Sequence, residues 1–300
     1  MPCTRSKTDL EAYRVRVPLR WVDLDAQAHI NNAQIVDYLQ EARVDFLLNS
    51  PHAHLLGDGI IVVEHRVEYL GQARFGSDDV DVDLWVGAVG AAQFWLGYDV
   101  RQGGVTVARA RTQLANFDFE AGRPARFSAT ERAWFAERST VLDEFRPLGS
   151  YAVGEGYHEH PLTVRWSDLD SYGHVNNVRF FDYVAEARIA LRESLLAGSI
   201  SGYGDGDSEH TWMVARQDLR YRGQIRHRLA PYVVRTAIGK VGRTSLTLVA
   251  DIVDPRDDSV AATATSVLVH GDAEGKPVPL PEAIVAASRR WAARGADGAA

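Results

Sequence analysis

The residues of this chain best able to do chemistry occur as a set, twice. Asp23 and Asp25 precede His29, Asn31 and Asn32; Asp168 and Asp170 precede His174, Asn176 and Asn177 with the same spacing. Asparagine ahead of an apolar run starts a helix by accepting backbone N–H groups. A helix start also presents unpaired N–H donors and a partial positive charge. A carboxylate held beside it could activate water or attack an electrophilic carbon while those donors hold the developing negative charge. The plainer alternative is that Asp25 and Asp170 cap a turn, and the D-x-D spacing alone favours that alternative.

The neighbouring residues divide in the same way. Asp23 and Asp168 fit a loop-orienting role better than a two-carboxylate Mg²⁺ site, which would also want phosphate or water ligands. His29 and His174 fit a structural loop position as well as an orienting or donating one. With no H-x-x-x-H spacing and no cysteine partner, zinc is not expected at them. No metal and no cofactor is expected for the chain. Asn31 and Asn176 either fix the loop by bonding to its backbone or contact a substrate. Glu41 and Glu186 lie 16 residues beyond Asp25 and Asp170 (41 − 25 and 186 − 170), four helical turns away, and read as solvated helix residues.

The elements that must position these residues are themselves duplicated. Arg20–Arg43 and Arg165–Arg188 agree at 13 of 24 positions without a gap, at an offset of 145 (166 − 21). Tyr69-Leu-Gly-Gln matches Tyr221-Arg-Gly-Gln at 152, so about seven residues are added in the second half, placed in the Gly/Ser/Asp-rich loop Gly198–His210. Ile35, Leu39, Ala42 and Phe46, and in the second half Phe180, Val184, Ala187 and Leu191, keep helical spacing over about 16 residues. Four strand-like runs follow: Ile60–Tyr69, Val80–Val89, Gln93–Val100 and Val105–Phe119, then Thr211–Tyr221, Tyr232–Val241, Ser245–Val253 and Ser259–His270. A short strand, Tyr13–Trp21 or Leu162–Trp166, precedes each helix. The expected class is α+β: two tandem domains, residues 10–140 and 155–295, each a long helix against an antiparallel sheet, joined near Ser139–Tyr157. A lone sheet of this kind has an exposed edge, so the two copies are expected to pair as an intrachain pseudo-dimer.

This order, with D-x-D-x-x-x-H-[IV]-N-N ahead of the helix, resembles the hot-dog superfamily, in particular the 4-hydroxybenzoyl-CoA and acyl-CoA thioesterases and the plant acyl-ACP thioesterases. The segment Asp168-Leu-Asp-Ser-Tyr-Gly-His-Val-Asn-Asn carries the likeness best, and Val241-Gly-Arg-Thr-Ser-Leu also fits. The first half departs at Ala28, where Gly173 keeps the usual glycine, and at Val89-Gly-Ala-Ala-Gln-Phe. The resemblance implies that Asp25 and Asp170 are catalytic and that the N–H of Asn32 or Asn177 polarises the thioester carbonyl. It places His29 and His174 in the same constellation. Gly173 would leave room for substrate and for a positive φ that alanine avoids, making the Asp170 site the better catalyst. Phosphates on the substrate want arginine. Arg222, Arg226, Arg228 and Arg243, with Ser245, are the candidates in the second half; Arg74 is the nearest in the first, with Arg66 and Arg216 as weaker candidates. The same arginines also fit an ordinary solvated surface. Trp85, Phe94, Trp95 and Trp212 read as core rather than acyl pocket.

Charge and composition set outer limits. With a net charge of −7 and no basic stripe, no nucleic-acid partner is expected. Cys3 is the only cysteine, so no intrachain disulfide forms, and it lacks the positioned base that a nucleophile needs. The N-terminus has no apolar h-region and no run approaches 18 apolar residues, so neither signal peptide nor membrane span is expected and a cytoplasmic location is the default. The expected activity is hydrolysis of an acyl-CoA or acyl-ACP, the substrate being the chain's main partner besides further copies of itself. Two alternatives stand beside it. One is a non-catalytic acyl-CoA-binding module, which would usually carry an appended domain. The other is an enoyl-thioester hydratase, whose D-x-N-P-x-H pattern puts the histidine five residues after the aspartate; here the gap is four (29 − 25 and 174 − 170).

Overall fold

The computed structural model describes residues 7, 10–25, 28–76, 78–195 and 210–295. Cys3, and the loop expected at Gly198–His210 up to its last residue, lie outside them. The chain divides into two units, Met1–Arg146 and Pro147–Ala300.

The first unit runs β1 (Tyr13–Val17), α1 (Asn32–Leu48), a short α2 (Leu55–Asp58), β2 (Ile60–Tyr69), β3 (Val80–Val89), β4 (Gln93–Gln102), β5 (Val105–Asp118), β6 (Arg123–Pro124) and α3 (Ala129–Glu137). Its sheet has the order β1-β3-β4-β5-β2, antiparallel throughout. The second unit runs β7 (His158–Leu162), α4 (Arg179–Leu195), β8 (His210–Tyr221), β9 (Tyr232–Val241), β10 (Ser245–Asp254), β11 (Ser259–Asp272) and α5 (Glu282–Ser288). Its sheet repeats the order as β7-β9-β10-β11-β8. Each unit is a hot dog, one long helix on an antiparallel sheet.

The stripe read from helical spacing is the buried face of each helix. In α1, Ile35, Leu39, Ala42 and Phe46 are buried; in α4, so are Phe180, Val184, Ala187 and Leu191. Each such large side chain contributes about 1.5–3 kcal/mol on leaving water. In the sheets, α1 packs on β1 and β3 and α4 on β7 and β9, and the alternating β4 residues Phe94, Leu96, Tyr98 and Val100 are buried. Trp85 and Phe94 are core, as expected. Trp95, expected in the core, is only half-buried, and the guanidinium groups of Arg66 and Arg111 lie over its ring at 5.5 and 5.0 Å.

Several elements differ from the sequence expectation. The strand before each helix is shorter or earlier: β1 stops at Val17, ahead of Pro18, and β7 ends at Leu162 instead of beginning there. The chain then turns into a 3₁₀ helix, Trp21–Asp23 or Trp166–Asp168, because the aspartate carboxylate accepts the N–H of Arg20 (2.9 Å) or Arg165 (2.8 Å) and ends the extended run. The second long helix begins at Arg179, two residues after Asn177. Three further helices, α2, α5 and the longest of them, α3, were not foreseen. Ser128 and Glu131 make a reciprocal cap at the start of α3, and its Phe135 stacks on Phe94 at 4.3 Å.

Candidate active site

Each unit builds its Asp loop on a buried carboxylate. Asp23 is 0% exposed. It accepts the Arg20 N–H, the Arg20 Nε–H (3.0 Å) and the Tyr38 hydroxyl (2.8 Å), while its own carbonyl accepts the Asn31 N–H (2.9 Å). Asp168 repeats this with the Arg165 N–H, the Tyr183 hydroxyl (2.7 Å) and the Asn176 N–H (2.8 Å). Burial and the adjoining Asp168 carboxylate push the Tyr183 hydroxyl far above its ordinary pKa, so it stays a donor; burial and Asp23 do the same to Tyr38. Asp23 and Asp168 are therefore the pins that hold the loop to the helix.

Asp25 and Asp170 sit in the turn that these pins hold. The Asp25 N–H donates to the His29 carbonyl (2.8 Å), the Ala28 N–H donates back to the Asp25 carbonyl (3.0 Å), and the His29 N–H reaches Asp25 Oδ1 (3.1 Å). In the second unit the Asp170 N–H donates to the His174 carbonyl (2.8 Å) and the Gly173 N–H to the Asp170 carbonyl (3.0 Å). Asp170 Oδ1 accepts from Tyr172 N–H (2.9 Å) and His174 N–H (3.3 Å). Among the described residues both of those carboxylate bonds fall on Oδ1. Both turns need a left-handed residue, and Ala28 takes that conformation (φ 60°) as Gly173 does (φ 74°). The expectation that alanine bars it is thus corrected. A Cβ on Gly173 would meet nothing within 4 Å, so φ rather than crowding accounts for the glycine.

The helix start comes next. In the first unit Asn31 Oδ1 caps the Ala33 N–H (3.0 Å) and the Asn31 carbonyl accepts from Gln34 N–H (2.9 Å). The Asn32 N–H, between the satisfied N–H groups of Asn31 and Ala33, has no acceptor among the described residues. In the second, Asn176 Oδ1 caps Val178 N–H (3.1 Å), its carbonyl accepts from Arg179 N–H (2.9 Å), and Asn177 Nδ2 donates to Asn176 Oδ1 (3.2 Å). Tyrosine hydroxyls from the ends of β2 and β8 hold the carbonyls of Asn32 and Asn177, Tyr69 at 3.1 Å and Tyr221 at 2.7 Å. The loop is tied to the next segment by Ile30 N–H to the Ala73 carbonyl (3.0 Å) and Val175 N–H to the Ile225 carbonyl (2.9 Å).

His174 is half-buried. Burial and the charge of Arg226 hold its imidazole below the ordinary pKa, against the opposing pull of Asp170. Arg226 is thus the arginine of the candidate group that acts on the loop. Arg222 is exposed, with its Nε–H on Thr263 (3.1 Å). Arg228 is engaged elsewhere: it pairs with Asp254 at 2.7 Å, where Arg256 also binds, and lies over the Tyr232 ring at 3.7 Å. Arg66 and Arg216 pair along their own strands with Glu64 (2.6 Å) and Asp218 (2.8 Å).

Arg243 and Ser245 are not brought to Asp170 within their own unit. They stand at the turn between β9 and β10, whereas the Asp170 loop is tied to Ile225, just before the other end of β9. Ten strand residues, about 30 Å, lie between. Glu41 and Glu186 are exposed. The tyrosines were missed by the sequence reading, although each falls at a repeated position (183 − 38 = 145; 221 − 69 = 152).

A family model described as the thioesterase-like superfamily matches residues 19–135 and again 164–288. The palmitoyl-acyl carrier protein thioesterase of Arabidopsis thaliana chloroplasts is 26% identical over 196 residues, 58% of this chain and 47% of that protein. The chain spans about half, or less, of the length of the curated relatives it matches. Among solved structures, a Lactobacillus plantarum protein provisionally assigned as an oleoyl thioesterase aligns with a TM-score of 0.67 at 16% identity, over 89% of this chain and 97% of that one. The 12:0-ACP thioesterase of Umbellularia californica aligns with a TM-score of 0.61 at 17% identity, over 85% and 96%. These two likenesses establish a shared fold. No helix among the described residues is long and apolar enough to cross a membrane.

Proposed function

The chain belongs to the thioesterase-like superfamily, and from that membership we propose that it hydrolyses acyl thioesters to a free acid and a thiol. The observation that carries this reading is the Asn32 N–H. It is the one amide between two satisfied neighbours in the first turn of α1, and it sits in the loop that also holds Asp25. An N–H so placed, at the positive end of a helix, suits the oxyanion of a tetrahedral intermediate. Asn177 occupies the matching position in the second unit.

In this scheme water attacks the thioester carbon while the carboxylate of Asp25 or Asp170 takes its proton. The carbon–sulfur bond then breaks, and the thiolate leaves with that proton. Direct attack by the carboxylate, giving an acyl–aspartate anhydride that water opens, yields the same products. His174, kept neutral near pH 7, orients the loop or donates to the substrate. Arg226, exposed and acting on His174 of the second loop, suits the phosphate of a pantetheine-bearing thiol, and Arg222, exposed on the same stretch of chain, could extend that contact. The substrates named for the curated relatives favour acyl-ACP over acyl-CoA.

A second reading, acyl-thioester binding without turnover, draws support from Asp170 Oδ1. It accepts two backbone N–H bonds, as a turn-capping aspartate would. Thiol release from a panel of acyl-CoA and acyl-ACP substrates separates the two. Turnover lost in the Asp25→Asn/Asp170→Asn double variant supports hydrolysis. Tight binding with no thiol release from any substrate leaves only the binding module.

A further inference from the structure

We propose that His52, His54 and Glu131 bind one divalent transition-metal ion, of which Zn²⁺ is the best fit, and that the ion clamps the segment after α1 to α3. Each of the three side chains offers one ligand atom, and these atoms all lie within 4.8 Å of one another. Two ligands of a tetrahedral zinc are about 3.3 Å apart when each bond is about 2 Å, so small side-chain rotations bring the set to bonding distance. Two imidazoles and a carboxylate are a zinc-type donor set with a fourth position for water.

The cluster is supported in the way metal ligands are. Glu131 turns one oxygen, Oε1, to His54 Nε2 (2.9 Å), while its other oxygen, Oε2, is held by the Ser128 backbone N–H (2.7 Å). The His52 ring packs edge-on against Trp134 at 5.7 Å, and the His52 backbone N–H donates to Ser50 Oγ (3.1 Å). The carbonyls of His52 and His54 accept the N–H groups of Leu55, Gly57 and Asp58, so the H-x-H backbone is already folded. Outer contacts of this kind set the orientation of ligands and their affinity.

The plainer account is a half-exposed His54–Glu131 hydrogen bond and nothing more. Two observations speak against it. A bare pair gives no reason for a third ligand atom to converge on the same point. Nor is the set part of the hot-dog framework: at the offset of 153 that aligns Gly122-Arg-Pro with Gly275-Lys-Pro (275 − 122), the position matching Glu131 in the second unit is Ile284, a buried apolar residue. The cluster follows the C-terminal end of α1, about 25 Å along the helix from the Asp25 loop. The ion therefore serves stability and not the thioester chemistry.

The test is calorimetric titration of the chelator-treated protein with Zn²⁺, beside thermal unfolding with and without the ion. The expected result is one Zn²⁺ per chain and a rise in Tm. Both should be lost, or the affinity cut about tenfold or more, in His54→Gln and in Glu131→Gln. Because Glu131 also caps α3, His54→Gln is the variant that reports on the ion alone. His160→Gln, outside the cluster, should bind as the wild type. Absence of binding, or equal binding by His54→Gln, overturns the proposal. Neither readout involves thioester turnover, so the fate of the hydrolase reading does not decide this one.

Discussion

Ala28 and Gly173 hold the same left-handed backbone conformation, φ 60° and 74°, at the same place in the two Asp loops. For an L-residue with a Cβ this costs about 1–2 kcal/mol. The loop of the first unit is therefore built under strain that the second avoids, although both reach the same turn. The aspartate of the second unit loses one argument for being the better catalyst, since Ala28 does not prevent the turn from forming.

That difference is measurable as stability. Ala28→Gly should stabilise the protein by about 0.5–1 kcal/mol, the relief of φ strain being partly offset by the greater entropy of an unfolded glycine. Gly173→Ala should destabilise it by a similar amount, with no clash to add because nothing lies within 4 Å of the new Cβ. Chemical denaturation of both variants checks the pair; a stabilising Gly173→Ala would contradict the account.

The two carboxylates can be weighed one at a time. Asp25→Asn and Asp170→Asn should each fold, and the double variant should lose a factor on the order of 10² or more in thioester turnover. Steady-state thiol release from each single variant shows which aspartate carries the greater share. A double variant that turns over every substrate at the wild-type rate removes both from the mechanism.

Tyr183 should matter through Asp168. Its hydroxyl meets a nearly buried carboxylate at 2.7 Å, and hydrogen bonds to charged groups are worth about 1.5–3 kcal/mol. Tyr183→Phe should cost that much in urea unfolding, with a loosened loop and weaker turnover as a consequence. A loss within experimental error would mean that the Arg165 N–H alone suffices to hold Asp168.

The histidine of the second loop makes stability depend on pH in a defined direction. Burial and Arg226 depress the folded-state pKa of His174 below its unfolded value near 6.5. The unfolded chain then binds this proton more readily than the folded one, so stability falls as pH drops below about 6.5 and is unaffected well above it. Replacing His174 with Gln removes that loss. The Tm gap between variant and wild type should move in favour of His174→Gln between pH 7.5 and pH 5, and a gap constant across that range would contradict the shift.

How much of this was readable in advance follows from the range of each interaction. The strands β2, β3 and β9 have the bounds read from the sequence, because runs of Val, Ile and aromatics between Gly and Asp are local signals. The helix faces were readable for the same reason: Phe180, Val184, Ala187 and Leu191 share a face by spacing alone. Repetition marked the Asp, His and Asn positions, and the capping by Asn31 and Asn176 needed only two residues of reach.

Only the tertiary structure decided what those residues meet. Asp23 and Asp168 became pins, because a tyrosine 15 residues further along the chain, in the following helix, returns to each buried carboxylate. Arg226 came to bear on His174, while Arg243 and Ser245 went to the far end of β9, since antiparallel pairing sets which strand ends are neighbours. The Ala28 conformation was imposed against local preference by bonds on either side of it. His54 and Glu131 meet across 77 residues of sequence, a distance that no spacing motif spans. Local chemistry is written in the order of residues; long-range company is set by how the sheet and helices pack.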